Sequence, residues 1–361
     1  MEFIDLKSQY QRLQDNIHSA MNRVFEHGVF INGPEVNELE NKLCEYTSAK
    51  HCIAVANGTD ALEIAEKALN IKAGDEVIIP SYTWVSTAET VKYLGATPIY
   101  SDINEDTFNI DINDVQNKIT SQTKAIVAVS LFGQCADLQD LKTLCDDNQI
   151  FLIEDAAQSF GAKHFNNKSC NIAHVSTTSF FPSKPLGCYG DGGAIFTNNE
   201  DLAIKMRLLA RHGQVTRDTF KLVGRNSRLD TLQAAILIEK LKIFDEEIVR
   251  RNKIHELYIS NINPEIATAP MIKPENLSVF AQYTLKVKSK ERKSIINNFE
   301  RLKIPHICYY QSPLFKQEAY KSNIDQLNVT ERLANNTVSI PMSPYLSDDQ
   351  VLFICEAINN I

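Results

Sequence analysis

The chain has 361 residues, too many for one small core, and domains of about 100 to 200 residues suggest two. Hydrophobic residues make up 43% and charged residues 23%, the balance of an ordinary globular protein rather than a disordered one. The net charge of -8 argues against a nucleic-acid partner, and no apolar run approaches the roughly 18 to 20 residues that a membrane helix needs.

In chain order, the start MEFIDLKSQY carries Glu2 and Asp5 and has no apolar run, so it does not read as a secretory leader. CIAVAN (52–57) reads as a strand and TDALEIAEKALN (59–70) as an amphipathic helix. EVIIPSY (76–82) is a second strand, STAETVKYLG (86–95) a helix ended by glycine, TPIYSDI (97–103) a third strand and KAIVAVSLFG (124–133) a fourth. ADLQDLKTLCDDN (136–148) is a helix and IFLIEDAA (150–157) a fifth strand, while VSTTSFF (175–181) and GGAIFTN (192–198) read as two more. The strands are nearly all apolar, as when helices cover both faces of a sheet. This is an α/β sandwich with a mostly parallel sheet.

Residues 229–262 read as one long charged helical stretch, followed by a strand in FAQYTLKV and helices in KERKSIINNFERLKI and DDQVLFICEAINNI. The change of texture marks a smaller α+β domain, with the chain divided at 1–244 and 245–361. Two polar stretches, 162–174 and 213–228, read as long loops, which are often functional. The eight cysteines include no CxxC pair, and no histidine cluster has zinc spacing. They read as reduced thiols of a cytoplasmic protein, with no metal site.

Four spots carry chemistry, each at a strand end or loop, where open α/β sheets bind ligands. In ANGTDAL (56–62), Gly58 permits a tight turn and Thr59 can cap the next helix, whose free N–H groups form an anion site. In IEDAAQS, Asp155 suits a metal, a base, a cationic ring nitrogen or a plain helix cap. In SFFPSKPLGCYGDGGAIFTN, Lys184 lies on a Pro- and Gly-constrained loop, a good place for a Schiff base, although a lone loop lysine is usually surface. In VGRNSRLDTLQAA, Asn226 and Arg228 precede a helix that Ser227 or Asp230 could simply start.

Together these stretches resemble the DegT/StrS-type sugar aminotransferases, pyridoxal 5'-phosphate (PLP) enzymes of the aspartate-aminotransferase-like fold type I. The resemblance runs from GVFINGPEVNELENKL to VSIPMSPYL, and SFFPSKPLGCYGDGGA and NSRLDTLQAA carry it most specifically. The 29 residues from Asp155 to Lys184 suit that family. The resemblance implies that Lys184 carries the cofactor as a Schiff base and that Asp155 partners the pyridine nitrogen. It implies Gln158 beside the phenolic oxygen, Trp84 stacked on the ring, and Gly58, Thr59 and Ser179 in a phosphate cup. Asn226 matches a residue reaching the phosphate of a neighbouring subunit, which implies a homodimer with shared active sites.

The implied reaction moves an amino group from glutamate to a nucleotide-linked keto sugar, by way of pyridoxamine phosphate. The family's sugar dehydratases carry histidine in place of the lysine, so Lys184 favours amino transfer. FIDL, FFPSKPLGCYGDGG and residues 133–137 fit the branch acting on UDP-2-acetamido-2-deoxy-3-oxo-glucuronate in O-antigen synthesis, with Arg228, Tyr309 and Tyr310 as substrate-binding candidates. That branch tends to place His-Tyr where this chain has Tyr309-Tyr310, and tyrosine is uncharged near neutral pH. A 3-oxo or 4-oxo 6-deoxy nucleotide sugar is therefore the second substrate class. A non-catalytic regulator on this fold would have no need for Lys184, Asp155, Trp84 and Gln158 together, and a nicotinamide enzyme would show GxGxxG.

Overall fold

The computed structural model describes residues 1–322 and 326–361. Residues 1–50, given no element from the sequence, form helices α1 (Leu6–His27) and α2 (Pro34–Thr47). The Asp5 carboxylate caps α1 by accepting from the Ser8 amide at 2.9 Å. Leu13, Ile17, Ala20 and Val24 recur at helical spacing on its buried face, and Gly28 ends it with φ of 68°.

The main sheet is built from β1 (His51–Val55), β2 (Glu76–Pro80), β3 (Thr97–Ser101), β4 (Thr123–Val129) and β5 (Phe151–Asp155). After β5 come a two-residue pair, β6 (Lys163–His164) and β7 (Asn167–Lys168), and then β8 (Val175–Ser179) and β9 (Gly193–Thr197). The strand order is β1-β9-β8-β5-β4-β2-β3. Neighbours from β3 to β8 run parallel, and β9 lies antiparallel between β8 and β1.

Helices α3 (Gly58–Ala68), α4 (Ser86–Tyr93), α5 (Ile112–Lys118) and α6 (Leu138–Asp147) connect these strands, and α7 (Glu200–Ala210) follows β9. Separate apolar clusters cover the two faces. One holds Leu39, Ile126, Leu152 and Phe196, the other Leu62, Val77, Ile153 and Ile195. The sandwich with a mostly parallel sheet is therefore present as expected.

The stretch read as one helix is two, α8 (Thr231–Leu241) and α9 (Phe244–Asn261). No Pro or Gly marks the break. It lets Phe244 turn inward, 1% exposed, with its ring 5.8 Å from both Phe160 and Tyr46. The two polar loops also contain structure. β6 of the first pairs with β13 (Asn276–Leu277), and the second folds on itself as β10 (Gln214–Thr216) and β11 (Thr219–Phe220).

The C-terminal part has its own sheet, β12 (Ala267–Thr268), β14 (Tyr283–Val287) and β15 (Thr337–Ile340), in the order β12-β14-β15. Helices α10 (Ser289–Leu302), α11 (Asn328–Asn335) and α12 (Asp348–Asn359) follow. A further apolar cluster joins Tyr258 of α9, Leu285, Phe299, Val338 and Ile354. Among the described residues, no helix is long and apolar enough to cross a membrane.

One buried acid stands out near the site. Glu66 of α3 is 0% exposed, and its Oε2 has no hydrogen-bond partner among the described residues. Its Oε1 accepts from the Thr90 hydroxyl at 3.0 Å. Burial pushes its carboxyl well above the usual range, and nearby Glu63 and Asp155 push the same way. With a raised folded pKa, the neutral acid's contribution to stability is complete below the unfolded value and is lost as pH rises.

Glu66→Leu is therefore expected to stabilise the fold, by about 1–3 kcal/mol near neutrality. Thr90 is not orphaned by the change, because its hydroxyl also bonds the Ser86 carbonyl at 3.0 Å. Melting curves check this: the gap between variant and parent should widen from about pH 5 to about pH 8. An unchanged or lowered midpoint at both would refute it.

Candidate active site

The C-terminal ends of β1, β2, β4, β5 and β8 converge on a cavity of about 670 Å³. Its walls include Gly58, Thr59, Trp84, Asp155, Gln158, Ser179, Lys184, Tyr309 and Tyr310. Of the residues singled out from the sequence, only Asn226 and Arg228 lie outside that wall.

The acidic pair ending β5 divides by strand alternation. The Glu154 carboxylate accepts from Ser130 Oγ at 3.1 Å, Ser169 Oγ at 2.6 Å, the Cys170 amide at 2.8 Å and Ser176 Oγ at 3.1 Å. It is fully occupied as a structural group. Asp155 faces the cavity, 7% exposed, and accepts from the Ala157 amide at 3.0 Å. It makes no ion pair within 4.0 Å among the described residues. Burial pushes its carboxyl up, against the lowering influences of the Ala157 amide, the Lys184 charge and the Thr87 hydroxyl. No regular helix follows β5, so Asp155 is not a helix cap.

Lys184 sits on the turn after β8, with its amide donating to the Phe181 carbonyl at 2.8 Å. Burial pulls its amine below the ordinary lysine range, and the Asp155 charge only partly opposes this. The lysine and the aspartate thus sense each other across a desolvated space without forming a closed ion pair.

At the end of β1 one expectation is corrected. Asn57, not Thr59, caps α3: its Oδ1 accepts from the Asp60 amide at 2.8 Å. Asn57 is a preferred cap residue directly before Gly58, a signal that was present in the sequence. Thr59 lies in the first turn, and its hydroxyl pairs with that of Ser86 at 2.7 Å. Since Asn57 serves the third amide of the turn, the Gly58 and Thr59 amides are left facing outward, as an anion site requires. A Cβ at Gly58 would come within 2.8 Å of Ser179 Cβ, so glycine lets α3 approach the end of β8.

Trp84 leaves β2 with 64% of its surface exposed, an open ring face on the cavity wall. Gln158 is held at both ends, accepting from the Phe132 amide at 2.8 Å and donating to the Tyr310 hydroxyl at 3.0 Å. Its amide keeps a second N–H. Tyr310 takes a left-handed φ of 51°, and its ring stacks with Phe132 at 6.2 Å.

Neither Asn226 nor Ser227 caps α8. Ser227 Oγ accepts from the Ala56 amide at 3.1 Å, tying this segment to the end of β1. Asp230 holds the N-cap position without a side-chain bond. The Asn226 side chain is exposed, and Arg228 is half-buried and makes no ion pair among the described residues. Arg225, not among the residues singled out from the sequence, also lines the cavity and pairs with Asp60 at 3.0 Å and with Glu63. Its place beside Asn226 in the GRNSR run was the available signal.

The sequence profile of the DegT/DnrJ/EryC1/StrS aminotransferases matches residues 11–359. The chain belongs to this family. It is 48% identical over 360 residues, covering 100% of both chains, to a Pseudomonas aeruginosa protein named as UDP-2-acetamido-2-deoxy-3-oxo-D-glucuronate aminotransferase. A DegT/DnrJ/EryC1/StrS aminotransferase from Brucella abortus superposes with a TM-score of 0.97 at 38% identity, covering 100% of this chain and 99% of that one. NtdA of Bacillus subtilis, solved with bound cofactor PMP, superposes at 0.91 and 29% identity, covering 99% and 83%.

Membership makes this chain an aminotransferase with PLP as its cofactor, acting on a nucleotide-linked keto sugar. The cavity fits PLP by its own chemistry. A buried carboxylate with no ion pair among the described residues would suit a protonated ring nitrogen, a lysine amine of lowered pKa faces the same space, and a helix N-terminus offers amides. Among the described residues no group of His, Cys, Asp and Glu is arranged to hold a metal ion.

Proposed function

We propose that this family member transfers an amino group from glutamate to UDP-2-acetamido-2-deoxy-3-oxo-glucuronate, in the synthesis of O-antigen or a similar surface polysaccharide. The observation that carries the substrate is the full-length, 48% identity to the P. aeruginosa enzyme of that name. Bound PLP supplies an electron sink for the donor's α-carbon. Lys184 covalently holds the cofactor and, once released, moves the proton at that carbon, a task served by a pKa pulled toward neutrality. Asp155 keeps the ring nitrogen protonated. The Gly58 and Thr59 amides and Ser179 receive the phosphate, Trp84 covers one ring face, and the spare N–H of Gln158 reaches the phenolic oxygen. Tyr309 and Tyr310 offer hydroxyls to the sugar.

The same reading makes the enzyme a homodimer with shared sites. Exposed Phe25, Phe30, Phe181, Phe220 and Val223 support it, since exposed apolar side chains in number mark contact surfaces. In that dimer Asn226 reaches the partner's phosphate and Arg228, without an ion pair among the described residues, meets the substrate's uronate or diphosphate. We also assign residues 1–244 to a large cofactor-binding domain and 245–361 to a small one. All eight cysteines are free, as suits a reducing cytoplasm.

A two-stage spectrum tests the reading. Glutamate should convert the bound cofactor to its amine form with loss of the visible band. After glutamate is removed, the UDP-linked 3-oxo uronate should restore it. Restoration by a 4-oxo or 3-oxo 6-deoxy sugar alone would reassign the substrate, and no response to glutamate would reassign the donor.

A further inference from the structure

Lys240 of α8 is 1% exposed, one of the most deeply buried charged groups of the chain. Its Nζ donates to the Gly187 carbonyl at 2.6 Å and lies 4.1 Å from the centroid of the Tyr189 ring. It makes no ion pair among the described residues. Burial pulls its pKa down to about 8, against an opposing influence from Glu247. An ammonium in such a place costs more than an apolar side chain of similar size would. Packing alone does not explain it.

What it touches does. Gly187 and Tyr189 follow Lys184 on the same turn. One helical face of α8 holds this turn at two points, because Gln233 and Lys240 lie seven residues apart. Gln233 Oε1 accepts from the Tyr189 amide at 2.8 Å, and Lys240 takes the Gly187 carbonyl. The turn folds so tightly that a Cβ at Gly187 would come within 2.4 Å of the Pro182 carbonyl oxygen. Glycine at 187 permits that close approach, and its carbonyl is the one that Lys240 holds. The charge that acts on the Lys184 amine beside its burial is that of Asp155. The contact that Lys240 makes with this turn by hydrogen bond is to its backbone.

We propose that Lys240 is a positioning residue that clamps the Lys184 turn to α8 through the Gly187 carbonyl, so that the Lys184 side chain can swing while its backbone stays fixed. The proposal rests on Lys184 being the reactive lysine. Its first test is independent of that, because it uses cofactor-free protein.

In Lys240→Met, amide hydrogen exchange over residues 184–189 should quicken about tenfold, with β5 and β9 unchanged. Lys240→Gln, which keeps a donor, should recover most of the protection. In the loaded enzyme, Lys240→Met should lower kcat about tenfold with little change in KM for glutamate. If Lys240→Met does not fold, the comparison of Lys240→Gln with Gln233→Leu carries the test, the first milder than the second over the same segment. Unchanged exchange at 184–189 in every variant, or a uniform acceleration across the sheet, overturns the clamp. Quickened exchange with kcat unaltered also overturns it, since the turn's rigidity would then not matter to Lys184.

Discussion

Lys184→Ala is expected to abolish turnover, by roughly 10⁴-fold or more, since both the covalent hold on the cofactor and the proton carrier go with it. Lys184 is the only lysine in the cavity wall among the described residues, so no neighbour can substitute. Borohydride reduction of loaded parent protein should add the cofactor's mass to the peptide containing Lys184. The variant should take up no such mass and show no visible band of the lysine-bound cofactor. Retained turnover, or mass found on another lysine, would sink the assignment. The fold should survive, because the amine removed is already held below its ordinary pKa by burial, and an uncharged side chain is no worse a neighbour for the apolar wall.

What the sequence made legible follows from how local each signal is. The constrained turn that carries Lys184 was readable because Pro and Gly lie within a few residues of it, and the apolar strands around it need only period and length. The division of labour between Glu154 and Asp155 was not. It depends on which face of β5 meets Ser130, Ser169 and Ser176, partners that lie on other elements. The cap at Asn57 was readable and was assigned to Thr59 instead, two residues into the turn. The break before α9 left no Pro or Gly, since its cause is a distant cluster with Phe160 and Tyr46. The pairing of β6 with β13 spans more than a hundred residues and has no local signature. Lys240 was invisible for the same reason: in a helical run a lysine reads as solvated, and only the packed structure buries it.

Asp155→Asn separates charge from shape. A carboxamide keeps the hydrogen bond from the Ala157 amide but cannot hold a proton on the ring nitrogen, so kcat should fall about 10²–10³-fold. Cofactor should remain bound through the α3 amides, Ser179 and Trp84. The pH dependence gives a second readout. In cofactor-free protein burial raises the Asp155 carboxyl, so folding favours the neutral acid. That contribution is complete below the unfolded value and is lost as pH rises through the folded one. A cationic ring reverses the preference and expels the proton. Cofactor affinity should therefore climb with pH through the raised carboxyl range and then level off. Asp155→Asn should lose that acid limb while Asp155→Glu keeps it. Titration of cofactor into each variant between about pH 5 and 8 decides the matter. An acid limb that persists in Asp155→Asn would place the titrating group elsewhere, with Glu66, a buried acid whose own carboxyl is raised in part by Asp155, as the next residue to replace.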